Sequence, residues 1–179
     1  MNEGKVLVAG NLGATSTTVM GSGRLLGGSG TVGSVLWNAE ATYEWQLRSV
    51  TDWDLLRVSG TMDLSLLNSG DKFNLSLLSD GSFDLSGGYE WTFLQAANLG
   101  SLSGFAFGTD ITNFFNISAG GFNGGVDATG IKVLVGSTAD GFTSLNIQAS
   151  SVPEPSTGSL MMFGLGGLVM TRLLRRKVS

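Results

Sequence analysis

Few side chains in this chain could do chemistry. It has 179 residues and neither Cys nor His. That excludes a thiol nucleophile, a disulfide framework, a zinc ribbon, a Ser-His-Asp triad and a His-ligated metal. Carboxylates remain. Asp52 with Asp54, and Asp80 with Asp84, could supply the acid and base of a polysaccharide-cleaving enzyme. The same residues fit a plainer role. Asp52 and Asp54 flank Trp53 just before an apolar run, and Asp80 precedes Gly81, both ordinary places for solvated turn acids. The turn role is the expectation, and the chain is expected not to be an enzyme. Neither a D-x-D-x-D-G loop nor a G-G-x-G-x-D repeat is present for calcium, so no metal or cofactor is expected.

Two further patterns have both a functional and a structural reading. Gly28-Ser-Gly-Thr-Val-Gly33 matches G-x-G-x-x-G, with Asp52 downstream. No helical pattern follows it, however, and among 28 glycines such a match arises easily. Turn glycines, needed for positive φ or close stacking, are the expectation. Trp37, Trp45, Trp53 and Trp91, with Tyr43 and Tyr89, could form a sugar-stacking platform. Trp37, Tyr43 and Trp45 share a period-two face with Val35, Ala39, Ala41 and Leu47, which makes them core. Trp53 and Trp91 stay as candidates for sugar stacking.

The elements that must position these residues are strands. Helical periodicity is absent before residue 158, and alternation replaces it. The clearest run is Val35 to Leu47. Others are Leu55–Val58, Thr61–Leu67, Lys72–Leu78, Tyr89–Leu94, Thr112–Ile117, Ile131–Val135 and Ser144–Gln148. Turn signals such as Asn68-Ser-Gly70, Ser79-Asp-Gly81, Asn123-Gly-Gly125 and Asp140-Gly141 separate them. Short strands at roughly ten-residue intervals predict an all-β fold: a sandwich, barrel or solenoid. Two echoes lean toward a solenoid. Leu64-Ser-Leu-Leu67 returns as Leu75-Ser-Leu-Leu78, and Tyr43-Glu-Trp45 returns as Tyr89-Glu-Trp91.

Charge divides the chain. Residues 1–154 hold six basic and all fourteen acidic side chains, a net −8, and the tail carries the remaining +4. An acidic body does not suit nucleic acid, whose binders need basic patches. The basic residues Arg172, Arg175, Arg176 and Lys177 follow seventeen uncharged residues, Pro155 to Thr171. As a helix these would span about 26 Å, just enough for a membrane. The basic cluster would then stay cytoplasmic and the body outside. Pro153 and Pro155, the only prolines, make the preceding stretch stiff and extended, a form suited to a processing enzyme or, equally, to a linker into a simple tail anchor.

Val152-Pro-Glu-Pro-Ser156, the short apolar segment and the terminal basic cluster together resemble the PEP-CTERM sorting signal of exported proteins of exopolysaccharide-producing Gram-negative bacteria. The resemblance implies recognition by an exosortase near Pro153-Glu154-Pro155 and delivery to the cell surface or biofilm matrix. It also implies a secretory signal peptide, which Met1-Asn-Glu-Gly-Lys-Val-Leu-Val-Ala-Gly10 does not match. The native protein is therefore expected to extend upstream of Met1. A second resemblance covers the other end. Lys5-Val-Leu-Val-Ala-Gly-Asn-Leu12, Thr17-Thr-Val-Met20 and Gly23-Arg-Leu-Leu-Gly-Gly-Ser-Gly-Thr-Val-Gly33 resemble the last rung of an autotransporter-associated β-strand repeat. Ala41 to Ser150 is similar to the region that follows such repeats in large PEP-CTERM proteins. This implies a parallel β-helix with an antiparallel cap, whose uncovered first strands would be open to self-association. The β-sandwich is the alternative.

The expected organisation is a β-helix repeat remnant (1–33), a β-rich exported domain (34–150), a Pro-Glu-Pro stalk (151–158), a transmembrane helix (159–174) and a basic cytoplasmic tail (175–179). The expected function is that of a structural protein of the cell surface or biofilm matrix, anchored in the membrane until an exosortase processes it. The alternative is an adhesin that binds exopolysaccharide.

Overall fold

The computed structural model describes residues 4–12, 17–19, 23–83, 88–98, 105–123 and 130–149. Among them the chain forms fourteen strands and one 3-10 turn, Thr112–Phe114. The first six strands are short: β1 (Gly4–Leu7), β2 (Gly10–Asn11), β3 (Thr17–Val19), β4 (Arg24–Gly27), β5 (Gly30–Val32) and β6 (Val35–Trp37). Then come β7 (Thr42–Ser49), β8 (Asp52–Trp53), β9 (Leu56–Asp63), β10 (Phe73–Ser79) and β11 (Tyr89–Asn98). The last three are β12 (Phe115–Gly121), β13 (Ile131–Ser137) and β14 (Thr143–Ala149).

The fold is all-β, with parallel and mixed sheets. The first sheet runs β1-β4-β7-β10-β12, every neighbouring pair parallel, with β8 folded back antiparallel on β7. The second runs β2-β5-β9-β11 in parallel and then turns antiparallel through β14 and β13. A third, small ladder joins β3, β6 and the end of β9. The chain visits these ladders in a fixed order. β1, β2 and β3 stack beneath β4, β5 and β6, which stack beneath β7 and the two halves of β9. β9 serves two ladders because it turns at Ser59-Gly60. There Gly60 N–H donates to the Gly33 carbonyl (3.0 Å) and Thr61 N–H to Ser34 Oγ (3.1 Å).

Alternation puts the apolar residues inside. In β7 Tyr43, Trp45 and Leu47 are fully buried, while Thr42, Glu44, Gln46 and Arg48 between them are half-buried. Parallel register extends that choice along the stack, so Val6, Leu26, Tyr43, Leu75 and Ile117 form one column, buried at Leu26, Tyr43 and Leu75, half-buried at Ile117 and exposed at Val6 in the first strand. One apolar core runs from Val8 to Ala149. Residues before and after position 34 share it, since β4 and β5 pair with β7 and β9. Aromatic rings fill its centre. Trp37 stacks on Phe73 (4.0 Å), with Phe115 edge-on to both.

The echoes in the sequence are not stacked repeats. Leu64 to Leu67 is a turn, closed by Leu67 N–H on the Leu64 carbonyl and by Ser65 N–H on Asp63 Oδ1, so the strand expected over Thr61–Leu67 stops at Asp63. The Asp63 carboxylate outcompetes a ladder partner for the Ser65 amide. Thr112–Ile117 likewise begins as a 3-10 turn. Tyr43 and Tyr89 lie on different sheets, and their neighbours Trp45 and Trp91 meet across the core at 5.8 Å.

The Gly28-Ser-Gly30 corner is where the first stacked turns come closest. Gly28 has φ of +87°, and a β-carbon there would lie 2.5 Å from the Val8 carbonyl oxygen. At Gly30 a β-carbon would lie 2.4 Å from the Gly10 carbonyl oxygen. Gly28 and Gly30 of the G-x-G-x-x-G match thus serve the turn and the stacking. Gly30→Val should destabilise the body by about 1–3 kcal/mol through overpacking. Gly81→Ala, which meets nothing within 4 Å, should stay within about 0.5 kcal/mol. Urea unfolding of the two variants checks both values.

Candidate functional site

The carboxylates singled out by spacing gather at the β7–β8 hairpin. β8 is antiparallel to β7, which brings Asp52 opposite Ser49 and Trp53 opposite Leu47. Arg48 then reaches both acids. Its Nε lies 3.2 Å from each Asp52 oxygen, and its Nη1 lies 2.8 Å from Asp54 Oδ1. Asp52 is exposed, whereas Asp54 is 6% exposed. Asp54 Oδ1 also accepts from Ser29 Oγ (3.2 Å), and that hydroxyl accepts from Leu55 N–H (3.1 Å). The Asp54 carbonyl accepts from Trp45 Nε1 (2.8 Å) and its N–H donates to the Gln46 carbonyl. Asp52 and Asp54 share one guanidinium and tie the hairpin to the Gly28-Ser29 corner.

Tyr43 lies beside this network, and its hydroxyl is held far above the ordinary tyrosine range, first by burial and second by the Asp54 charge. It therefore stays protonated and points its hydroxyl to the Gly28 carbonyl at 3.4 Å. Asp80 sits across β7 from the cluster, bound to Gln46 Nε2 at 2.6 Å. Asp84 lies outside the described residues.

The aromatic candidates sit against the core. Trp91 is 2% exposed, stacked on Tyr89 (5.2 Å) and packed against Trp45 and Phe122, with its indole N–H on the Val50 carbonyl. It has no open ring face to offer a sugar in this fold. Trp53 is half-buried and donates to the Thr92 carbonyl at 2.8 Å. It occupies the stretch of β11 that β9, pairing only from Leu94 onward, leaves unpaired.

Two features escaped the sequence. The role of Arg48 needed the antiparallel fold-back of β8, which no turn motif announces in Val50-Thr51. The other is an open groove of about 140 Å³ whose walls include Leu64, Leu67, Phe105, Ile111 and Phe114. Those residues come from two distant stretches that alternation does not connect.

The Pro-Glu-Pro residues Val152, Pro153, Glu154, Pro155 and Ser156, and the basic residues Arg172, Arg175, Arg176 and Lys177, lie outside the described residues. So does the expected transmembrane helix. Among the described residues no helix is long and apolar enough to cross a membrane.

Removing the Arg48 guanidinium should leave Asp54 as a buried charge with Ser29 as its remaining side-chain partner. Arg48→Ala should cost about 2 kcal/mol, less than a fully buried pair because Arg48 is one-third exposed. Asp52→Asn, on the exposed side of the same guanidinium, should cost under about 1 kcal/mol. Equilibrium denaturation of the two variants separates them.

Comparison with known proteins bears on the end of the chain. Residues 151–177 match the family model of the PEP-CTERM protein-sorting motif. The match takes in the Pro-Glu-Pro stretch, the apolar segment and the basic cluster, and it leaves the β body outside. The chain matches no curated protein and no solved structure, so no comparison ties the body to autotransporter-associated repeats. At residues 151–177 the chain therefore carries a PEP-CTERM sorting motif, which marks an exported protein processed by an exosortase and destined for the cell surface or the extracellular space.

Proposed function

We propose that the protein is a structural component of the cell surface or biofilm matrix, with a non-enzymatic parallel β-helix body closed by the antiparallel pair β13–β14. The observation that carries this reading is the all-parallel ladder β1-β4-β7-β10-β12 joined by one continuous core. Sandwich sheets are built from antiparallel pairs, so in-register parallel stacking supports winding instead. The sorting motif supplies the route. Its apolar segment threads the inner membrane as a helix, Arg172 to Lys177 stop transfer on the cytoplasmic side, and Pro153-Glu154-Pro155 presents an extended site to the exosortase. The anchor is transient, and the mature body remains outside.

A second reading, binding of exopolysaccharide, draws on the outer face of the first sheet. Thr42, Asn74 and Asn116 align there, as do Glu44, Ser76 and Ser118. Asn116 Nδ2 donates to Asn74 Oδ1 (3.2 Å), so the amides are already oriented.

Replacing Pro153-Glu-Pro155 by three alanines should leave the uncleaved chain in the inner membrane. Intact mass of protein recovered outside the cells is the readout for the unaltered chain, and it should end near Pro153–Ser156. A released mass that still contains Arg172–Lys177 contradicts the processing reading. For the second reading, Asn74→Ala with Asn116→Ala should lower co-sedimentation with matrix polysaccharide several-fold. Unchanged sedimentation leaves the structural role alone.

A further inference from the structure

Among the described residues, large exposed apolar side chains gather in two places. Val6, Leu7 and Leu12 belong to the first turn of the stack, and Leu66, Phe105 and Phe107 surround the groove beside the 3-10 turn. Leu66, between the lining residues Ser65 and Leu67, is 52% exposed, and Phe107 is 68% exposed. Both stand on fixed backbone. Leu67 N–H closes its turn on the Leu64 carbonyl (3.0 Å). Gly108 N–H donates to the Val135 carbonyl (2.7 Å) and Thr109 N–H to the Ala106 carbonyl (3.1 Å), which pins the turn carrying Phe107 to β13. Phe105 stands edge-on to Phe114 at 6.3 Å. No charged side chain lines the groove among the described residues. An apolar patch held on fixed turns marks a surface on which something apolar rests.

The exit of the chain says which apolar surface that is. The described body ends at Ala149, which sits opposite Ile131, two residues from Val133 on the same strand. Ile111 N–H donates to the Val133 carbonyl (2.9 Å), so Ile111, on the groove wall, is the next neighbour of that strand. With strands about 4.8 Å apart, the chain leaves the body within roughly 12 Å of Ile111. The ten residues from there to Ser159 reach up to about 33 Å when extended. A membrane that holds the uncharged stretch ending at Thr171 therefore keeps the groove close to its outer surface at high effective concentration. The body remains on that side, and Arg172 to Lys177 remain on the other. Residues 1–154 have a net charge of −8, so apolar contact rather than headgroup charge must draw the body to lipid.

We propose that, while the chain is anchored, the body rests on the outer surface of the bilayer with Leu66, Phe105 and Phe107 set into the interface. This rests on the sorting reading of residues 151–177 and adds a lipid-facing side to the body. Three side chains are too few to hold the body once the tether is cut, so the contact ends with processing. While it lasts, it turns the exit at Ala149 toward the membrane and keeps Pro153-Glu154-Pro155 near the headgroups.

The absence of cysteine makes a clean test. The full chain carrying Phe107→Cys is labelled with a nitrobenzoxadiazole maleimide and reconstituted into phosphatidylcholine vesicles, with and without brominated acyl chains. The control is Gly81→Cys, exposed just beyond the end of β10 that lies away from the groove-lining Phe115. Bromine should quench the label at position 107 about threefold more than the label at position 81. Leu66→Asp, an exposed change, should at least halve that difference. Equal quenching at the two positions overturns the proposal. So does a blue shift at position 107 without bromine quenching, which means that another copy covers the patch. Vesicles that do not carry the chain on flotation overturn the anchor and the proposal together. Failure of the processing reading alone shows separately, as normal release of the variant lacking Pro153-Glu-Pro155.

Discussion

The body depends on one constraint: parallel strands stack in register, so an inward position in one strand must sit on an inward position in the next. The column Leu26, Tyr43, Leu75 and Ile117 is the direct result. A slip of one residue in any strand would turn its apolar set to solvent and its polar set into the core. Backbone hydrogen bonds alone do not prevent such slips. The aromatic side chains do, because Trp37, Tyr43, Trp45 and Phe73 are too large to be accommodated a residue away.

The polar clusters follow from the same geometry. Where the stack turns a corner, backbone groups lose their ladder partners, and side chains replace them. Ser34 serves the corner at Gly60, and Ser29 serves the one at Leu55. The ion cluster of Arg48 with Asp52 and Asp54 belongs to this class. Its acids share one guanidinium, and through Ser29 they join the hairpin to the neighbouring corner.

Much of the fold was legible in the residues. The alternation from Val35 to Leu47 marked a buried face, and Trp37, Tyr43 and Trp45 lie on it as expected. The Gly28–Gly33 pattern read as turn and stacking glycines, and Gly28 and Gly30 are so placed. Parallel pairing was not legible from alternation, which is the same in either direction, and came only through a resemblance. The spacing of the stack was hidden too. Stacked positions are 20 residues apart at Gly4 and Arg24 but 42 apart at Phe73 and Phe115, because loops enter between strands. A repeat stretched this way leaves no period to find, and the Leu-Ser-Leu-Leu echo pointed to a turn. The sorting motif was legible in full, since it is written in consecutive residues and does not depend on the fold.

That widening step has a kinetic meaning. Closing a loop costs entropy that rises with its length, so turns near the first strands close more readily than those that bring β12 to β10. Distant pairings also slow folding as a whole. The chain from β10 onward supplies Phe73, Trp91, Phe93 and Phe122, four of the seven largest fully buried aromatic side chains, so the early turns gain much of their cover only when the slow ones close. A chain that closes in this order keeps its early turns loosely held until the late strands cover them.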